Sequence, residues 1–267
     1  MRRAGVWLAR RATSRFRLEP SFFVIGASKA GTTTLYDAIA RHPRVGRASS
    51  KEVQYFDFHF EDRSDGWYRA HFPLRRGGLI TGEATPYYLA DPRAPARLAS
   101  RYPHGRLIAI VREPVARAYS QWAHETELGA ETLPFPAAVA HENERLAGEL
   151  DRMLAEPAYT SWNHFKFSYV ARGLYLEQLE RWLAHFPREQ LLVLRLDDFA
   201  ERPADVLAET FRFLGLPPAA GVELPRLNVR SYPPLDDETR RRLQERFAEP
   251  NRRLEAFLGR TLDWGYN

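Results

Sequence analysis

An α/β fold, a parallel sheet flanked by helices, is predicted by three features of this 267-residue sequence. Short apolar runs alternate with segments of helical periodicity, the pattern left by βαβ units. The run Phe22-Phe23-Val24-Ile25 is apolar at every position, as a strand buried on both faces must be. A glycine-bounded loop, Gly26 to Gly31, then leads into a helix-like segment that opens on Thr32-Thr33-Thr34. Strand, glycine loop and helix in this order point unpaired backbone N–H groups and the positive end of a helix at one spot. Such a spot binds phosphate, so the expected fold is P-loop-like.

The remaining elements follow in order. Leu35 to Ala40 carries apolar residues at helical spacing, and Arg41-His42-Pro43 stops it. Ser49 to Asp57 reads as a short extended segment packed near the loop. Asp65 to Pro73 reads as an amphipathic helical piece closed by proline, and Gly77 to Glu83 as a second strand. Thr85-Pro86-Tyr87-Tyr88 makes a rigid aromatic turn, and Asp91 to Ser100 a helix with proline in its first turn. Arg106 to Arg112 is the clearest strand, ended by Glu113-Pro114, and Val115 to Thr126 continues as a helix. Leu133 to Tyr159 is rich in Ala and Glu, helical and chemically quiet. Ser168 to Tyr175 leads into the strongly periodic helix Leu176–Leu183, and Gln190 to Arg195 is another buried strand. Two helices, around 204–214 and 236–258, flank a proline-rich stretch at 216–234. There is no repeat and no low-complexity linker, so one domain is expected.

A net charge of +5 suits an anionic ligand, and 44% hydrophobic residues supply a sizeable core. The absence of cysteine excludes disulfides, thiolate chemistry and Cys-based zinc sites, and fits a reducing, cytoplasmic compartment. No apolar run approaches the length of a membrane span. Residues 1–18 form a basic N-terminal arm, with Arg2, Arg3, Arg10, Arg11, Arg15 and Arg17 and no acidic residue up to Arg17. Its apolar stretch Val6–Ala9 is too short for a signal-peptide core. A solvated arginine-rich arm is one account of it; a basic helix in peripheral contact with a membrane is the other.

The loop is not a Walker A sequence, which needs lysine directly after its second glycine; here Lys29 lies two residues before Gly31. The order Lys29-Ala30-Gly31-Thr32-Thr33-Thr34-Leu35 resembles the 5′-phosphosulfate loop of the sulfotransferases that use 3′-phosphoadenosine 5′-phosphosulfate (PAPS). Alone, it is explained as well by a turn and a helix cap. A second site decides. The strand 106–112 delivers Arg112 at its C-terminal edge, where open α/β sheets bind ligands, and Ser120 follows about two helical turns on. An arginine fork and a hydroxyl suit a second phosphate group, although an ion-paired arginine and a solvated serine would account for either residue separately. The spacing is similar to that of the 3′-phosphate site of sulfotransferases.

Sulfuryl transfer requires the acceptor to lose a proton as it attacks, and a carboxylate within hydrogen-bond reach can take it. Lys51-Glu52-Val53-Gln54-Tyr55-Phe56-Asp57 resembles the catalytic-base segment of the heparan sulfate 3-O-sulfotransferases, with Glu52 on the base and Asp57 on a supporting acid. Gln54 stands where those enzymes carry histidine. The competing account makes Lys51 and Glu52 an exposed surface pair. Arg172-Gly173-Leu174-Tyr175, Glu249-Pro250-Asn251 and Leu258 to Trp264 also look like segments of the heparan sulfate 3-O- and N-sulfotransferases. Arg230 matches an arginine of their 3′-phosphate loop, but Asn228 and Val229 replace its lysine and glycine, and the disulfide that braces that loop cannot form. In Glu83-Ala84-Thr85-Pro86, Ala84 stands where the glycan enzymes place an acceptor-binding lysine.

The resemblance covers about Phe22 to Trp264 and implies a single sulfotransferase domain over residues 19–267. It implies direct, in-line, metal-free transfer from PAPS to a hydroxyl or amine of a carbohydrate or small-molecule acceptor, giving PAP. Lys29 would stabilise charge on the leaving oxygen, and Ala30, Gly31, Thr32, Thr33 and Thr34 would line the 5′-phosphate. Arg112, Ser120 and Arg230 would hold the 3′-phosphate, and Glu52 would be the base. No nucleic-acid partner is expected. Trp67, Tyr87, Tyr88, Trp122 and Trp162 are the aromatics available to stack on sugar rings, although most aromatics are core. Two rivals remain: a P-loop kinase or NTPase with an atypical loop, and a non-catalytic binder of anionic polymers. The first needs Mg²⁺ and a Walker B aspartate, whereas the strand 106–112 ends in arginine.

Overall fold

Phe22 pairs with Gly82 on one side and with Arg106 on the other, which puts the first strand at the centre of a parallel sheet. The computed structural model describes residues 2–219 and 233–265. Among them the sheet has five strands: β1 (Phe22–Gly26), β2 (Val45–Gly46), β3 (Ile80–Ala84), β4 (Arg106–Val111) and β5 (Leu191–Arg195). Their order is β2-β3-β1-β4-β5 and every pairing is parallel. The helices that cover them are α1 (Arg2–Ala12), α2 (Thr32–Ile39), α3 (Asp65–Arg69), α4 (Ala94–Arg101), α5 (Pro114–Glu127), α6 (Phe135–Ala140), α7 (Glu142–Leu146), α8 (Glu149–Ala155), α9 (Trp162–Phe167), α10 (Tyr175–Leu183), α11 (Leu196–Glu201), α12 (Pro203–Phe213) and α13 (Asp237–Leu258). The α/β fold and parallel sheet expected from the sequence are therefore present.

The fully apolar runs become the fully buried strands: Phe22–Ile25 and Leu107–Val111 have no exposed surface. Burying each such side chain is worth about 1.5–3 kcal/mol, so the two central strands anchor the core. A Cβ at Gly82 would lie 2.2 Å from the Phe22 carbonyl oxygen, so glycine allows β3 to approach β1 there. After β1 the chain runs to the β2 edge, and after β4 it runs to the β5 edge. The switch of direction between β1 and β4 opens a crevice beyond their C-terminal ends, where ligands of such sheets bind. Glu113 starts α5 by accepting from Val115 N (2.9 Å) and Ala116 N (2.6 Å), with Pro114 in the first turn.

One expectation needs correction. Ser49 to Asp57 is not extended throughout: Tyr55–His59 forms a π-helical turn after Gln54, whose φ is +54°. Its amides turn to side chains instead of a strand, with Tyr55 N (2.9 Å) and Phe56 N (3.3 Å) donating to Tyr88 Oη. The Tyr55 ring also stacks on Tyr68 at 4.5 Å, a contact that adds to the turn's packing. The two-residue β2 and the short α11 also escaped the sequence, being too short for a periodic signal.

The basic arm is not simply solvated. Arg10 donates to the carbonyls of Ala70 (2.7 Å) and Phe72 (3.0 Å), and Arg17 donates to Phe72 (2.8 Å). The Trp7 ring packs on His71 at 4.6 Å and on Trp67 at 6.1 Å. α1 is thus held against the chain around α3, while Arg11 and Arg15 stay exposed.

Candidate active site

The loop after β1 and the end of β4 open into one cleft of about 660 Å³. Its floor is the loop itself: Ser28, Lys29, Gly31, Thr32, Thr33 and Thr34 all line it. Lys29 (φ +69°) and Gly31 (φ +85°) adopt the left-handed conformation, which turns the chain sharply into α2. Thr32 and Thr34 are buried and Thr33 is exposed. Ala30 is fully buried beneath the loop, so its side chain packs and only its backbone is available to a ligand.

Arg112 and Ser120 line the same cleft from the β4 side. Arg112 Nη1 donates to the Lys29 carbonyl at 3.1 Å, and Tyr175 Oη donates to the Arg112 carbonyl at 2.7 Å. The resemblance of Arg172–Tyr175 thereby finds a physical role, because Tyr175 fixes the backbone that delivers Arg112. Arg230 lies outside the described residues. Glu52 faces the loop from the segment after β2, and its neighbour Lys51 donates from Nζ to Glu52 Oε1 (2.8 Å) and to Thr33 Oγ1 (2.6 Å). The surface pair considered from the sequence does form, but it sits in the cleft and bridges to the phosphate-type loop.

A buried carboxylate holds this segment in place. Glu83, at the end of β3, accepts from Tyr68 Oη (2.6 Å), Tyr88 Oη (3.1 Å), Thr85 Oγ1 (2.8 Å) and Val53 N (3.4 Å). Burial pushes its carboxyl up to about 7, while these four donors pull the other way. Thr85 Oγ1 also accepts from Gln54 N at 3.3 Å, so Val53, Gln54, Tyr55 and Phe56 are all tied to the β3–Tyr88 corner.

The third wall is aromatic and cationic: Pro86, Tyr87, Phe165, Lys166 and Arg172. The Arg172 guanidinium lies 4.6 Å from the Tyr87 ring centre and donates to the His164 carbonyl at 2.8 Å. Tyr87 Oη and His164 Nδ1 share a hydrogen bond of 2.7 Å, and burial followed by the Arg172 charge pushes His164 down to about 3, keeping it neutral. Gln121 Nε2 donates to the Lys166 carbonyl at 2.8 Å, which fastens this wall to α5. The Ala- and Glu-rich stretch contributes no lining side chain, yet Glu142 accepts from Val170 N (2.7 Å) and Ala171 N (2.8 Å) and so helps place Arg172.

Two further cleft carboxylates, Glu125 and Asp197, were missed from the sequence. Glu125 is buried; burial pushes its carboxyl up, and Lys166, Arg172 and Lys29 pull it back. The signal was there: Ser120, Gln121, His124, Glu125 and Leu128 follow helical spacing and share one face of α5 on the cleft. Asp57 does not line the cleft. It is buried, its Oδ1 accepts from Phe58 N at 2.7 Å, and burial and then Asp91 push its carboxyl up. Of the aromatics considered for stacking, only Tyr87 lines the cleft. Tyr88 is fully buried, Trp67 packs among Trp7, Tyr55 and His59, and Trp122 stacks on Tyr119 at 5.3 Å. Trp162 is 59% exposed and stacks on Phe58 at 5.8 Å.

Fold and cleft together define a parallel α/β protein with a sharply turned, cleft-lining loop at its topological switch point. Residues 19–232 match the sulfotransferase domain family, and the chain belongs to that family. It is 27% identical to the membrane-associated sulfotransferase kil1 of Dictyostelium discoideum, over 92% of this chain and 66% of that protein. It is 31% identical to human heparan sulfate glucosamine 3-O-sulfotransferase 3B1, over 92% of this chain and 65% of the relative. The human 3-O-sulfotransferase 6 is likewise 31% identical, with 92% and 74% covered. The chain thus spans about two thirds of the length of the first two relatives. Among solved structures, a sulfotransferase from Alicyclobacillus acidocaldarius superposes with a TM-score of 0.75 at 30% identity, covering 92% of this chain and 98% of the other.

Proposed function

We propose that this protein transfers the sulfuryl group of PAPS to a hydroxyl or amine of an acceptor and releases PAP. One observation carries the proposal. The loop of β1 and the arginine of β4, joined by the Arg112–Lys29 hydrogen bond, share one cleft with Glu52 and Lys51 facing them. Two anion sites at adjacent strand ends fit a nucleotide with two separate phosphate groups better than a polyphosphate chain. In this proposal Gly31, Thr32, Thr33, Thr34 and the backbone of Ala30 hold the 5′-phosphate, and Arg112 and Ser120 hold the 3′-phosphate, with Arg230 as a further ligand. Lys29 meets the negative charge that builds on the bridging oxygen as the S–O bond breaks, and Glu52 takes the acceptor's proton. The transition state is loose, so positioning and cationic donors supply most of the catalysis.

The acceptor side favours a carbohydrate. Tyr87 and Phe165 offer ring faces, while Lys166 and Arg172 offer cations to acidic substituents of a sugar chain, in line with the heparan sulfate named for two relatives. The exposed Arg11 and Arg15 beside exposed Val6, Leu8 and Phe16 would let the N-terminal region touch an anionic membrane surface. Among the described residues no helix is long and apolar enough to cross a membrane.

Calorimetry with PAP, and separately with ATP plus Mg²⁺, tests the function. PAP should bind without metal, and far more tightly than Mg·ATP. The reverse order would make the protein a phosphoryl-transfer enzyme, and no binding of either would leave only the polymer binder.

A further inference from the structure

Lys51 is a cleft cation that touches both halves of the site. Its Nζ lies 2.6 Å from Thr33 Oγ1, at the start of the phosphate-type helix, and 2.8 Å from Glu52 Oε1. Its own carbonyl accepts from Ala84 N at 3.3 Å, so its backbone is pinned to the end of β3. The side chain is 23% exposed and lines the cleft.

We infer that Lys51 is a catalytic residue whose ammonium contacts the non-bridging oxygens of the sulfuryl group. The inference rests on the PAPS reading of the cleft. In an in-line transfer the sulfur lies between the 5′-phosphate, which Thr33 borders, and the acceptor atom, whose proton Glu52 takes. A cation bridging Thr33 and Glu52 therefore stands beside the group in flight. An ammonium has three donors, and Thr33 and Glu52 occupy two of them.

The same geometry gives Lys51 a second duty. Its hydrogen bond to Glu52 Oε1 also holds the carboxylate beside the loop, and the second oxygen of that carboxylate is there to take the acceptor's proton. The sulfonate of PAPS offers three oxygens and a negative charge to that ammonium. The third donor of the ammonium meets them while its bonds to Thr33 and Glu52 hold. A new bond forms between acceptor oxygen or nitrogen and sulfur. The bond from sulfur to the bridging oxygen breaks, and its electron pair leaves with the 5′-phosphate of PAP. The acceptor's proton goes to Glu52.

Because PAPS and PAP differ by the sulfuryl group alone, their affinities separate this role from others without any acceptor. Calorimetry or competition titration of the wild type, Lys51→Gln and Lys51→Arg, with PAPS and with PAP, makes the test. Lys51→Gln should weaken PAPS about tenfold or more, as expected for loss of one charge-assisted contact, and PAP less than threefold. Lys51→Arg, which keeps the charge, should restore part of the PAPS affinity. Retained PAP binding shows at the same time that the variant is folded. Equal losses for PAP and PAPS would make Lys51 a phosphate or structural contact, and no loss for either would remove it from the site; both results overturn the inference. A wild type that binds neither nucleotide would instead overturn the reading of the cleft.

Discussion

Arg112 Nη1 donates to the carbonyl oxygen of Lys29 at 3.1 Å, which ties the C-terminal end of β4 to the loop after β1. Tyr175 Oη holds the Arg112 carbonyl from behind at 2.7 Å, and Glu113 caps the helix that carries Ser120. In the proposed PAPS complex, a group bound by Arg112 would therefore be referenced directly to the loop proposed to hold the 5′-phosphate. Preorganisation of this kind lowers the ordering cost of binding and fixes the distance the ligand must span.

Arg112→Ala should accordingly erase discrimination between PAP and ADP. One charge-assisted contact is worth about 1.5–3 kcal/mol, so PAP should lose roughly 10- to 100-fold in affinity. ADP, which lacks the 3′-phosphate, should weaken much less, through the loosened Lys29 backbone alone. Calorimetric titration of both nucleotides checks this. Equal wild-type affinities for PAP and ADP would sink the assignment of two phosphate sites.

Lys29→Ala should lower kcat more than it weakens PAP. An interaction that strengthens as charge builds on the leaving oxygen contributes to the transition state beyond the ground state. A variant that lost PAP affinity but kept its turnover would show that Lys29 is only a phosphate clamp.

Local signals carried the centre of the molecule, and packing carried the rest. Phe22–Ile25 and Leu107–Val111 are apolar at every position, and both are fully buried strands. The loop with Lys29 and Gly31 was readable because its turn and helix start are written in adjacent residues. Glu125 on α5, Lys166 on α9 and Arg172 in the turn at 171–173 meet at the cleft from separate segments, tied by Gln121 Nε2 to the Lys166 carbonyl, and single-segment periodicity does not encode that contact. The π-helical turn at Tyr55 depends on the Tyr88 hydroxyl, 33 residues away, supplying what a neighbouring strand would have supplied. Charge leaves the arm open between a solvated segment and a membrane-facing helix, whereas Arg10 and Arg17 donate to the main-chain carbonyls of Ala70 and Phe72, which composition cannot reveal.

Glu83 should leave a signature in the pH dependence of stability. Its folded carboxyl titrates at about 7 because of burial, against an ordinary value of 4.5. The folded state thus binds more protons than the unfolded state between those values, and this group's contribution to stability falls as pH rises through the window. Below about pH 4.5 both states are protonated and the penalty is absent; above about pH 7 it is complete. Glu83→Gln cannot ionise. The stability of the wild type relative to Glu83→Gln should therefore decline by about 2–3 kcal/mol between pH 5 and 8. Denaturant melts of both proteins across that range measure it, and a gap independent of pH would show that burial does not control Glu83.

Glu52→Gln separates an enzyme from a binder. The substitution keeps the shape of the side chain, and Gln Oε1 can still accept from Lys51, so the loop contact to Thr33 should persist. What is lost is the ability to take a proton. PAP affinity should stay within about threefold, whereas turnover should fall roughly 10²- to 10⁴-fold. The loss should be smaller for a phenol than for an aliphatic alcohol, because a nucleophile that ionises readily needs less help from a base. An assay coupling p-nitrophenyl sulfate and PAP supplies the reading before the natural acceptor is identified. Asp57 and His59, the next carboxyl and imidazole along the segment, do not line the cleft; Asp57 is buried and His59 lies 3.3 Å from Asp62. Glu125 is therefore the proper comparison, being a carboxylate that shares the cleft with Lys29. Glu125→Gln should retain a larger share of the turnover than Glu52→Gln. Full activity of Glu52→Gln with an aliphatic alcohol, together with collapse in Glu125→Gln, would move the base from the segment after β2 to the α5 wall.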